Sequence, residues 1–428
     1  MLIKNGKVLI FEDGDVKIKK LDVRIKNDNI ERIAEKIEPI KGEKTINATN
    51  KVIMPGLVNT HAHIAMSLFR ATFEGCNLYT WLNDKVWPIE EHLTEEQVYN
   101  ASMLSIVEML STGTTYVNDH YFISESIRKA VEDTKIRATI TRVLMDNDGE
   151  KESNKRIQEF KKLYETRDNN NSLITYSVAP HSLYTCSDEL LEISRKLALE
   201  YNLPIHIHFL ESINEIDDIR EKHNDLAINV LKQHFAGIHT ILAHGVKLNS
   251  YDLKELKEMK CGISHNPISN FRLGCKIADI TKYSKEGINI GLGTDGQGSG
   301  NNLDMFETMK IAALAQGGIH ENEERIGAKE IIKMATIGGA KIVGLDNEIG
   351  SIEVGKKADI IIVNTEPKLD NIKIFPNNNI ISNLVYNTSG TSVETTIVNG
   401  KILMENRKFN SLNIQKIIED VKNLKHIK

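Results

Sequence analysis

The sequence contains no hydrophobic run long enough to span a bilayer, and residues 1–6 do not begin the apolar region of a signal peptide. We therefore expect a cytoplasmic protein without a membrane segment. Cysteine is also scarce. Its four positions, Cys76, Cys186, Cys261 and Cys275, include no CxxC pair. We expect reduced thiols, which excludes a disulfide framework and a zinc ribbon.

An excess of positive charge is likewise missing, since the net charge is −5 and the sequence has no basic stripe. This makes nucleic acid an unexpected partner and argues against a polybasic membrane contact. The 428 residues are 40% hydrophobic and 26% charged, as in a globular protein with one large domain or two to three smaller ones. No linker or tail indicates a protein partner, although enzymes of this size often pair as homo-oligomers.

Both ends of the chain are rich in short strand-like segments. Asn5-Gly6 lies between apolar runs and predicts a hairpin, and residues 22–25 and 30–33 flank a second polar turn. Near the other end, residues 360–363 resemble a strand and Asn399-Gly400 predicts another hairpin. We predict that residues 1–55 and 346–410 form one composite β-sandwich domain. Residues 411–428 have apolar side chains at helical spacing and predict a C-terminal helix.

The middle of the chain, residues 56–345, alternates short β-rich runs with helical patterns. Eight candidate strands cover residues 53–59, 114–118, 138–144, 173–179, 204–209, 240–243, 262–264 and 288–293. Segments between them, such as 95–111 and 188–201, have helical periodicity. Eight such units predict the α/β class and a (β/α)8 TIM-type barrel. A doubly wound sheet is the alternative, but it does not explain where the polar residues lie.

A strongly polar residue lies at or just after the end of each predicted strand. In chain order these residues are His63, Asp119 with His120, Arg142, His181, His208 with Glu211, His244, His265 and Asp295. Barrel enzymes build their active sites at the C-terminal ends of their strands. The regular placement therefore predicts one active site at that face of the barrel.

The most specific motif pairs His61 with His63 at the end of the first predicted strand. Alternate residues of a strand point to the same side, so two imidazoles can bind one metal ion there. Adding His208 and Asp295 gives three imidazoles and one carboxylate. That set suits one zinc or iron(II) ion and leaves a position for water. His206 shares the face of His208 but lies farther from the strand end, so we interpret it as a supporting or core residue.

The chain resembles the amidohydrolase superfamily in motifs spread along nearly its whole length. They are Pro55-Gly56-Leu57-Val58-Asn59-Thr60-His61-Ala62-His63, His206-Ile207-His208-Phe209-Leu210-Glu211, Ala243-His244-Gly245, Ser264-His265-Asn266-Pro267-Ile268-Ser269-Asn270 and Gly293-Thr294-Asp295-Gly296. Within the superfamily they are most similar to the deaminases of 5-methylthioadenosine and S-adenosylhomocysteine. The resemblance implies a metal-dependent aminohydrolase that acts on 5′-substituted adenosines and releases ammonia. Residues 178–181, at the end of strand four, include no lysine, which favours one ion over two.

The resemblance also implies catalytic roles. Glu211 would protonate the ring nitrogen N1, Asp295 would bind the ion and accept a proton from water, and His244 would hydrogen-bond the attacking oxygen. Glu211 and Asp295 would thereby contact the substrate as well. The residues themselves leave other interpretations open, because Glu211 also suits a helix N-terminus, Asp295 a turn and His244 an ordinary strand end. His265 fits a place near the site or a structural role in its loop equally well.

Further substrate contacts are implied one residue at a time. Glu90 resembles the acid that holds the ribose hydroxyls, Trp81 the aromatic residue against which the nucleoside packs, and His181 a further nucleoside contact. Arg142 would meet the carboxylate of S-adenosylhomocysteine, with Arg156 as a second candidate. Trp81 also suits a helix core, and a solvated helix position is the favoured interpretation of Arg156.

Two other functions stay open at this stage. Similar barrels hydrolyse other amine-bearing or halogen-bearing heterocycles, such as cytosine, guanine and triazines. Glu90 and Arg142 argue against these substrates, because a free base has neither ribose nor carboxylate. A barrel that only binds a ligand is disfavoured, because such proteins usually lose metal ligands and all four candidates are present. Gly300 stands where the family commonly has asparagine, which affects contacts near the ion but not the chemistry.

Overall fold

The computed structural model describes residues 1–321, 323–366 and 379–424. Within these ranges the strands are β1 (Leu2–Glu12), β2 (Asp15–Lys26), β3 (Asn29–Ala34), β4 (Thr45–Asn47), β5 (Lys51–Pro55), β6 (Leu57–Ala62), β7 (Thr114–Asp119), β8 (Arg137–Ile140), β9 (Val143–Leu144), β10 (Ile174–Tyr176), β11 (Ala179–Pro180), β12 (Ile205–Phe209), β13 (Thr240–His244), β14 (Cys261–His265), β15 (Asn289–Leu292), β16 (Ile360–Asn364), β17 (Val393–Val398), β18 (Lys401–Glu405) and β19 (Lys408–Phe409).

The α-helices are α1 (Leu78–Thr80), α2 (Trp87–Glu90), α3 (Glu95–Ser111), α4 (Ser124–Thr134), α5 (Glu150–Glu165), α6 (Asp188–Tyr201), α7 (Ile213–His223), α8 (Ala227–Phe235), α9 (Ser250–Lys257), α10 (Pro267–Arg272), α11 (Ile280–Lys285), α12 (Gln297–Gly300), α13 (Met305–Ile319), α14 (Ala328–Met334), α15 (Ile337–Ile342), α16 (Ile380–Tyr386) and α17 (Ile414–Asn423). Short 3₁₀ helices cover Ile64–Phe69 and Gly390–Ser392, and a π-helix covers Trp81–Val86.

Strands from both ends of the chain join in one hydrogen-bonded sheet. Its order is β19-β18-β17-β16-β5-β1-β2-β3, with β4 beside β1. One apolar cluster contains side chains from β1, β2 and β3 together with others from β16 and β17, so strands from both ends of the chain share one core. The composite β unit built from both ends is confirmed. Its boundaries at residues 55 and 346 stay a prediction.

The prediction of a hairpin turn at Asn5-Gly6 was wrong. β1 continues through this pair with a bulge, and the chain reverses at Asp13-Gly14, where both residues have positive φ. An added Cβ at Gly6 would lie 2.3 Å from the side chain of Ile53. The pair therefore serves a bulge and a close approach between strands. The two other predicted hairpins, after β2 and after β17, are confirmed.

In the described ranges, the barrel wall has eight parallel strand positions. Each corresponds to one of the eight strands predicted from the sequence. β6, β7, β8 and β10 form one sheet and β12 to β15 form another, with β9 and β11 between them. Backbone hydrogen bonds connect these pieces. Val178 donates to Pro204 at 3.0 Å, and Asp295 donates to His61 at 3.1 Å. The (β/α)8 barrel is thus confirmed, with its third and fourth strands each interrupted once.

The first predicted strand, residues 53–59, is in fact two strands. β5 belongs to the composite sheet and β6 to the barrel, and Gly56 divides them. A Cβ at Gly56 would lie 2.0 Å from Thr115 Oγ1, so only glycine fits where the chain passes between the two layers. This division brings the end of β6, with His61, to the C-terminal face of the barrel.

The helical predictions hold where they can be compared. α3 and α6 have the bounds expected from their periodicity. The C-terminal helix extends over α17, begins at the N-cap Asn413 and buries Ile417 in the cluster that also contains α3. Residues 425–428 of that prediction lie outside the described residues. No helix in the described ranges is both long enough and apolar enough to cross a membrane.

Candidate active site

The C-terminal ends of the barrel strands bring three histidines and an aspartate together. His61 Nε2 lies 3.3 Å and His63 Nε2 lies 3.0 Å from Asp295 Oδ1. The candidate ligand atoms of these three residues all lie within 4.8 Å of one another, and His208 joins His61 in a second such trio and His63 in a third. We call His61, His63, His208 and Asp295 the strand-end cluster. All four predicted metal ligands therefore meet in one place.

Each imidazole of the strand-end cluster is held through its Nδ1 atom. His61 Nδ1 lies 2.9 Å from Nε2 of the buried His206, whereas His63 and His208 donate from Nδ1 to backbone carbonyl oxygens. This fixes the three rings and leaves their Nε2 atoms available. His61 Nε2 has no hydrogen-bond partner. His206 is thus a support for His61, in line with its interpretation from the sequence.

The carboxylate of Asp295 is oriented in a similar way. Ser269 Oγ and Ser299 Oγ donate to its Oδ2 at 2.5 and 2.8 Å, and its buried Oδ1 has no hydrogen-bond partner. Burial raises the pKa of Asp295, but His61 and His63 more than offset this and hold it well below its usual range. The carboxylate is therefore ionised.

The donor set fits a single divalent ion. Burial holds the pKa of His208 well below its usual value, so this ring is neutral as a ligand must be. Neutral imidazoles with a free Nε2 and a carboxylate with a free oxygen are the ligands that zinc and iron(II) take in proteins. The unpartnered atoms of His61 and Asp295 face each other across the position that such an ion would fill.

Glu211 and His244 lie beside the strand-end cluster and share one neighbour. Asn270 Nδ2 donates to His244 Nδ1 at 2.9 Å and lies 3.3 Å from Glu211 Oε1. Because its Nδ1 accepts, His244 has its proton on Nε2 and can donate from there. Burial, followed by the carboxylates of Asp295 and Glu215, holds the pKa of Glu211 well above its usual range. Its surroundings therefore favour the protonated form of Glu211.

The alternative interpretation of Glu211, as the acid at a helix N-terminus, is not supported by the geometry. Ser212 is the N-cap of α7, and its side chain accepts from the backbone N–H of Glu215. Glu215 in turn accepts from the backbone N–H groups of Leu210 and Glu211 at 2.8 and 2.7 Å. With the helix end satisfied in this way, the carboxyl group of Glu211 is left for the cavity.

Three residues at these strand ends have left-handed backbone conformations. The φ angles are 50° at Leu210, 77° at His244 and 59° at Asp295. L-residues adopt this region at an energetic cost, and such conformations are concentrated at functional sites. The sharp bends after β12, β13 and β15 present the polar side chains to the cavity.

A cavity lies over the strand-end cluster beneath a continuous helical run. α1, the π-helix and α2 follow one another from Leu78 to Glu90. The cavity has a volume of about 50 Å³, and Trp81, Glu90 and His181 are among its lining residues. Small-molecule sites usually measure roughly 300 Å³ or more, so the cavity as folded is smaller than a usual nucleoside site. These three side chains reach the site as expected, and their contacts with a substrate stay a prediction.

Arg142 and Arg156 do not line this cavity. They line an adjoining groove of about 860 Å³, the side groove, which shares Glu90 with the cavity. Both guanidinium groups are already paired, Arg142 with Glu159 and Arg156 with Asp148. The interpretation of Arg156 as a solvated helix residue is wrong, since its side chain is only 11% exposed.

His120 was predicted to lie at a strand end, but no role was assigned to it. Its ring lies 4.4 Å from that of His208 and 4.9 Å from that of His206, and both of its buried ring nitrogens have no hydrogen-bond partner. The signal available was its place directly after β7, but the direction of its ring depends on the closed barrel. His265 is also fully buried, and it belongs to none of the three ligand trios found among the described residues.

Residues 52–403 match the sequence profile of the amidohydrolase family. The chain belongs to the amidohydrolase family. Among the relatives of this amidohydrolase is a 5′-deoxyadenosine deaminase of Methanosphaera stadtmanae, 40% identical over 408 residues that cover 95% of each chain. A 5-methylthioadenosine/S-adenosylhomocysteine deaminase of Thermoanaerobacter pseudethanolicus is 38% identical over 423 residues, 98% of this chain and 97% of the relative.

Solved structures confirm the fold of this amidohydrolase. An adenosine deaminase from Xanthomonas campestris with bound zinc has a TM-score of 0.89 and 26% identity, and covers 98% of this chain and 96% of its own. An atrazine chlorohydrolase from Arthrobacter aurescens complexed with zinc has a TM-score of 0.90 and 21% identity. The match covers 98% of this chain and 99% of the chlorohydrolase chain. The second likeness concerns the fold alone. The family is metal-dependent, and the histidine-rich strand ends are where this amidohydrolase has ligands to offer.

Proposed function

We propose that this amidohydrolase removes the 6-amino group of 5′-substituted adenosines by hydrolysis. S-adenosylhomocysteine would give S-inosylhomocysteine, 5′-methylthioadenosine would give 5′-methylthioinosine, and each would release ammonia. The observation that carries this proposal is the meeting of His61 and His63 with Asp295 at the cavity that Glu211 also lines. Relatives named as deaminases of such adenosines, aligned over nearly the whole chain, support the substrate class.

The cofactor in this proposal is one divalent ion held by His61, His63, His208 and Asp295. Zinc is favoured over iron(II), because a solved relative contains zinc. When bound, the ion supplies a Lewis acid that makes a water molecule reactive near neutral pH. The strand-end cluster supports a single ion, since each of its histidines has only its Nε2 atom left for ligation.

The remaining chemistry belongs to side chains. As water attacks C6, Asp295 accepts one of its protons and the protonated Glu211 donates its own proton to N1. His244 donates from Nε2 to the oxygen on which charge develops. The proton held by Asp295 then passes to the amino group, the C6–N bond breaks and ammonia leaves. Glu211 takes back the proton of the new hydroxyl group, which leaves C6=O and N1–H in the product and both carboxyl groups in their starting states.

Substrate binding is proposed to use the cavity wall and the side groove. Glu90 would accept hydrogen bonds from the ribose hydroxyls, Trp81 would pack on the nucleoside and His181 would contact it. The side groove, with Arg142 and Arg156, begins at Glu90 and would receive the 5′-substituent.

The test is ammonia release from a panel of substrates with zinc-loaded and chelated enzyme side by side. The panel contains S-adenosylhomocysteine, 5′-methylthioadenosine, adenosine, 5′-deoxyadenosine, cytosine and guanine. We expect release from the adenosines that stops after chelation and returns with zinc. Release from the free bases alone would refute the adenosine proposal and the role of Glu90, while leaving a metal-dependent hydrolase.

A further inference from the structure

The side groove contains two guanidinium groups that lie beneath carboxylates. The side chains of Arg142 and Arg156 are each 11% exposed, whereas their partners Glu159 and Asp148 are 42% and 37% exposed. In each pair the acid is therefore the member that solvent, or a ligand, meets first.

Both guanidinium groups already donate hydrogen bonds to other groups of the protein. Arg142 donates from Nε to Glu159 at 2.7 Å and from Nη1 to the carbonyl oxygen of Val143 at 2.9 Å. One nitrogen on each of its two donor sides is thus in use. Arg156 uses Nη1 and Nη2 together on the carboxylate of Asp148. Arginine binds carboxylates best through two parallel N–H groups, and a carboxylate of the protein itself already pairs with each of these arginines.

The surrounding charge acts in the same direction. Seven acidic and four basic side chains line the side groove. A carboxylate entering it would meet like charges before it met a guanidinium, and such contacts are unfavourable. A neutral group would meet no such barrier.

The side groove continues from the cavity over the strand-end cluster. Trp87, Glu90 and Phe122 line both spaces, and the guanidinium of Arg142 lies 5.6 Å from the ring centroid of Phe122. A substituent on the 5′-carbon of a nucleoside held at Glu90 would therefore enter beside the Arg142–Glu159 pair.

We propose that Glu159 is a specificity-determining residue that occupies Arg142, so that adenosines with a neutral 5′-substituent are turned over in preference to those with a carboxylate. Asp148 does the same for Arg156. This inference rests on the proposed deamination and deepens it. It assigns 5′-deoxyadenosine and 5′-methylthioadenosine, rather than an anionic thioether, as the preferred substrate class.

The test compares two substrates that differ in one charge. 5′-Methylthioadenosine and 5′-carboxymethylthioadenosine are assayed by ammonia release with the zinc-loaded enzyme. We expect kcat/KM to favour the methylthio compound about tenfold in the unaltered protein. Glu159→Gln should narrow that ratio about fivefold through a lower KM for the carboxylate, because Arg142 is released, with kcat for the methylthio compound nearly constant.

Glu152→Gln is the matched comparison. Glu152 lies on α5 like Glu159, lines the same groove and has the same 42% exposure, but its partner is Lys155 at 3.8 Å. The Glu152→Gln substitution removes an equal charge without releasing a guanidinium, so we expect it to change the ratio of the two kcat/KM values by less than about twofold. Adding Arg142→Gln to Glu159→Gln should restore the discrimination.

The inference would be overturned by a preference of the unaltered protein for the carboxylate, by an unchanged ratio in Glu159→Gln, or by equal shifts in Glu152→Gln and Glu159→Gln. A lower kcat/KM for the carboxylate in Glu159→Gln would also contradict it. The proposed function fails in a different way, namely without ammonia release from either compound. Bound zinc and the methylthio kcat establish that each variant is folded.

Discussion

The strand-end cluster and the side groove are both rich in charged and titratable groups, but the two regions differ in how many of their polar atoms are hydrogen-bonded. In the cluster, each histidine is held at Nδ1 and the aspartate at Oδ2, while His61 Nε2 and Asp295 Oδ1 have no hydrogen bond. In the groove, guanidinium and carboxylate groups satisfy one another. Leaving a buried polar atom unpaired costs about 1–3 kcal/mol. Polar atoms that the fold holds in place but leaves without a hydrogen-bond partner therefore identify a ligand site better than a high density of charge does.

The largest expected effect comes from removing the free carboxylate oxygen of the cluster. Asp295→Asn replaces an ionised ligand with a neutral amide, and we expect metal content to fall severely and deamination to fall on the order of 10³-fold. Asp148→Asn makes the same chemical change in the groove and should leave metal content unchanged. Metal analysis of both purified variants checks this. Full metal occupancy in Asp295→Asn would remove the distinction between the two regions.

A smaller loss is expected when the cluster stays intact and only the proton donor beside it changes. Glu211→Gln cannot release a proton to N1, so kcat should fall about 10²- to 10³-fold while metal content stays normal. The measurement is steady-state ammonia release with metal analysis of the same sample. Near-normal turnover with bound metal would show that another group supplies the proton.

The contribution of His206 to metal binding can be distinguished from a general packing effect by comparing two fully buried histidines. His206 contacts His61 at 2.9 Å, whereas both ring nitrogens of His265 have no hydrogen-bond partner. His206→Ala should weaken metal binding about 10- to 100-fold, because the ring of His61 loses its orientation. His265→Ala opens a similar cavity and should change metal affinity far less. Competition with a chelator measures the affinities, and equal losses would assign the effect to packing alone.

The smallest expected effect is a change with salt concentration in the substrate preference that the side groove sets. Its carboxylates are partly exposed, and the screening length shrinks to about 3 Å at 1 M ionic strength. Preference for the methylthio over the carboxymethylthio substrate should therefore weaken about twofold at high salt. Metal content should not respond, since the cluster is buried. A preference that is indifferent to salt would point to shape rather than charge as its cause.

Much of this architecture could be predicted because it is local. Strand and helix periodicity placed the barrel elements, and polar residues at strand ends placed the cluster, since parallel strands end at one face. The Asn5-Gly6 hairpin failed because its outcome depends on a distant contact. Pairing of β1 with β2 continues past it, and packing against Ile53 requires the glycine. The same holds for Gly56, whose neighbour Thr115 is remote in sequence.

The roles of Arg142 and Arg156 could not be derived from sequence for a related reason. A resemblance indicates which residue type occurs at a position, but the free donors of that residue depend on its partners. Glu159 and Asp148 lie 17 and 8 residues away, respectively, and only the folded groove brings them to the guanidinium groups. His120 was given a position but no role, because its closeness to the rings of His206 and His208 arises only in the folded barrel.

The left-handed conformations of Leu210, His244 and Asp295 have a consequence for how such a sequence can change. Glycine adopts positive φ without the penalty that these side chains incur, which is on the order of 1 kcal/mol or more at each position. A search for thermal robustness alone would therefore tend to install glycine at 244 and 295, and would erase two of the groups that the chemistry needs. At position 210 the same exchange would remove a buried leucine from the hydrophobic core, which costs about 2–5 kcal/mol and outweighs the strain relieved. The strained backbone is thus retained at each of these positions together with the side chain that it presents.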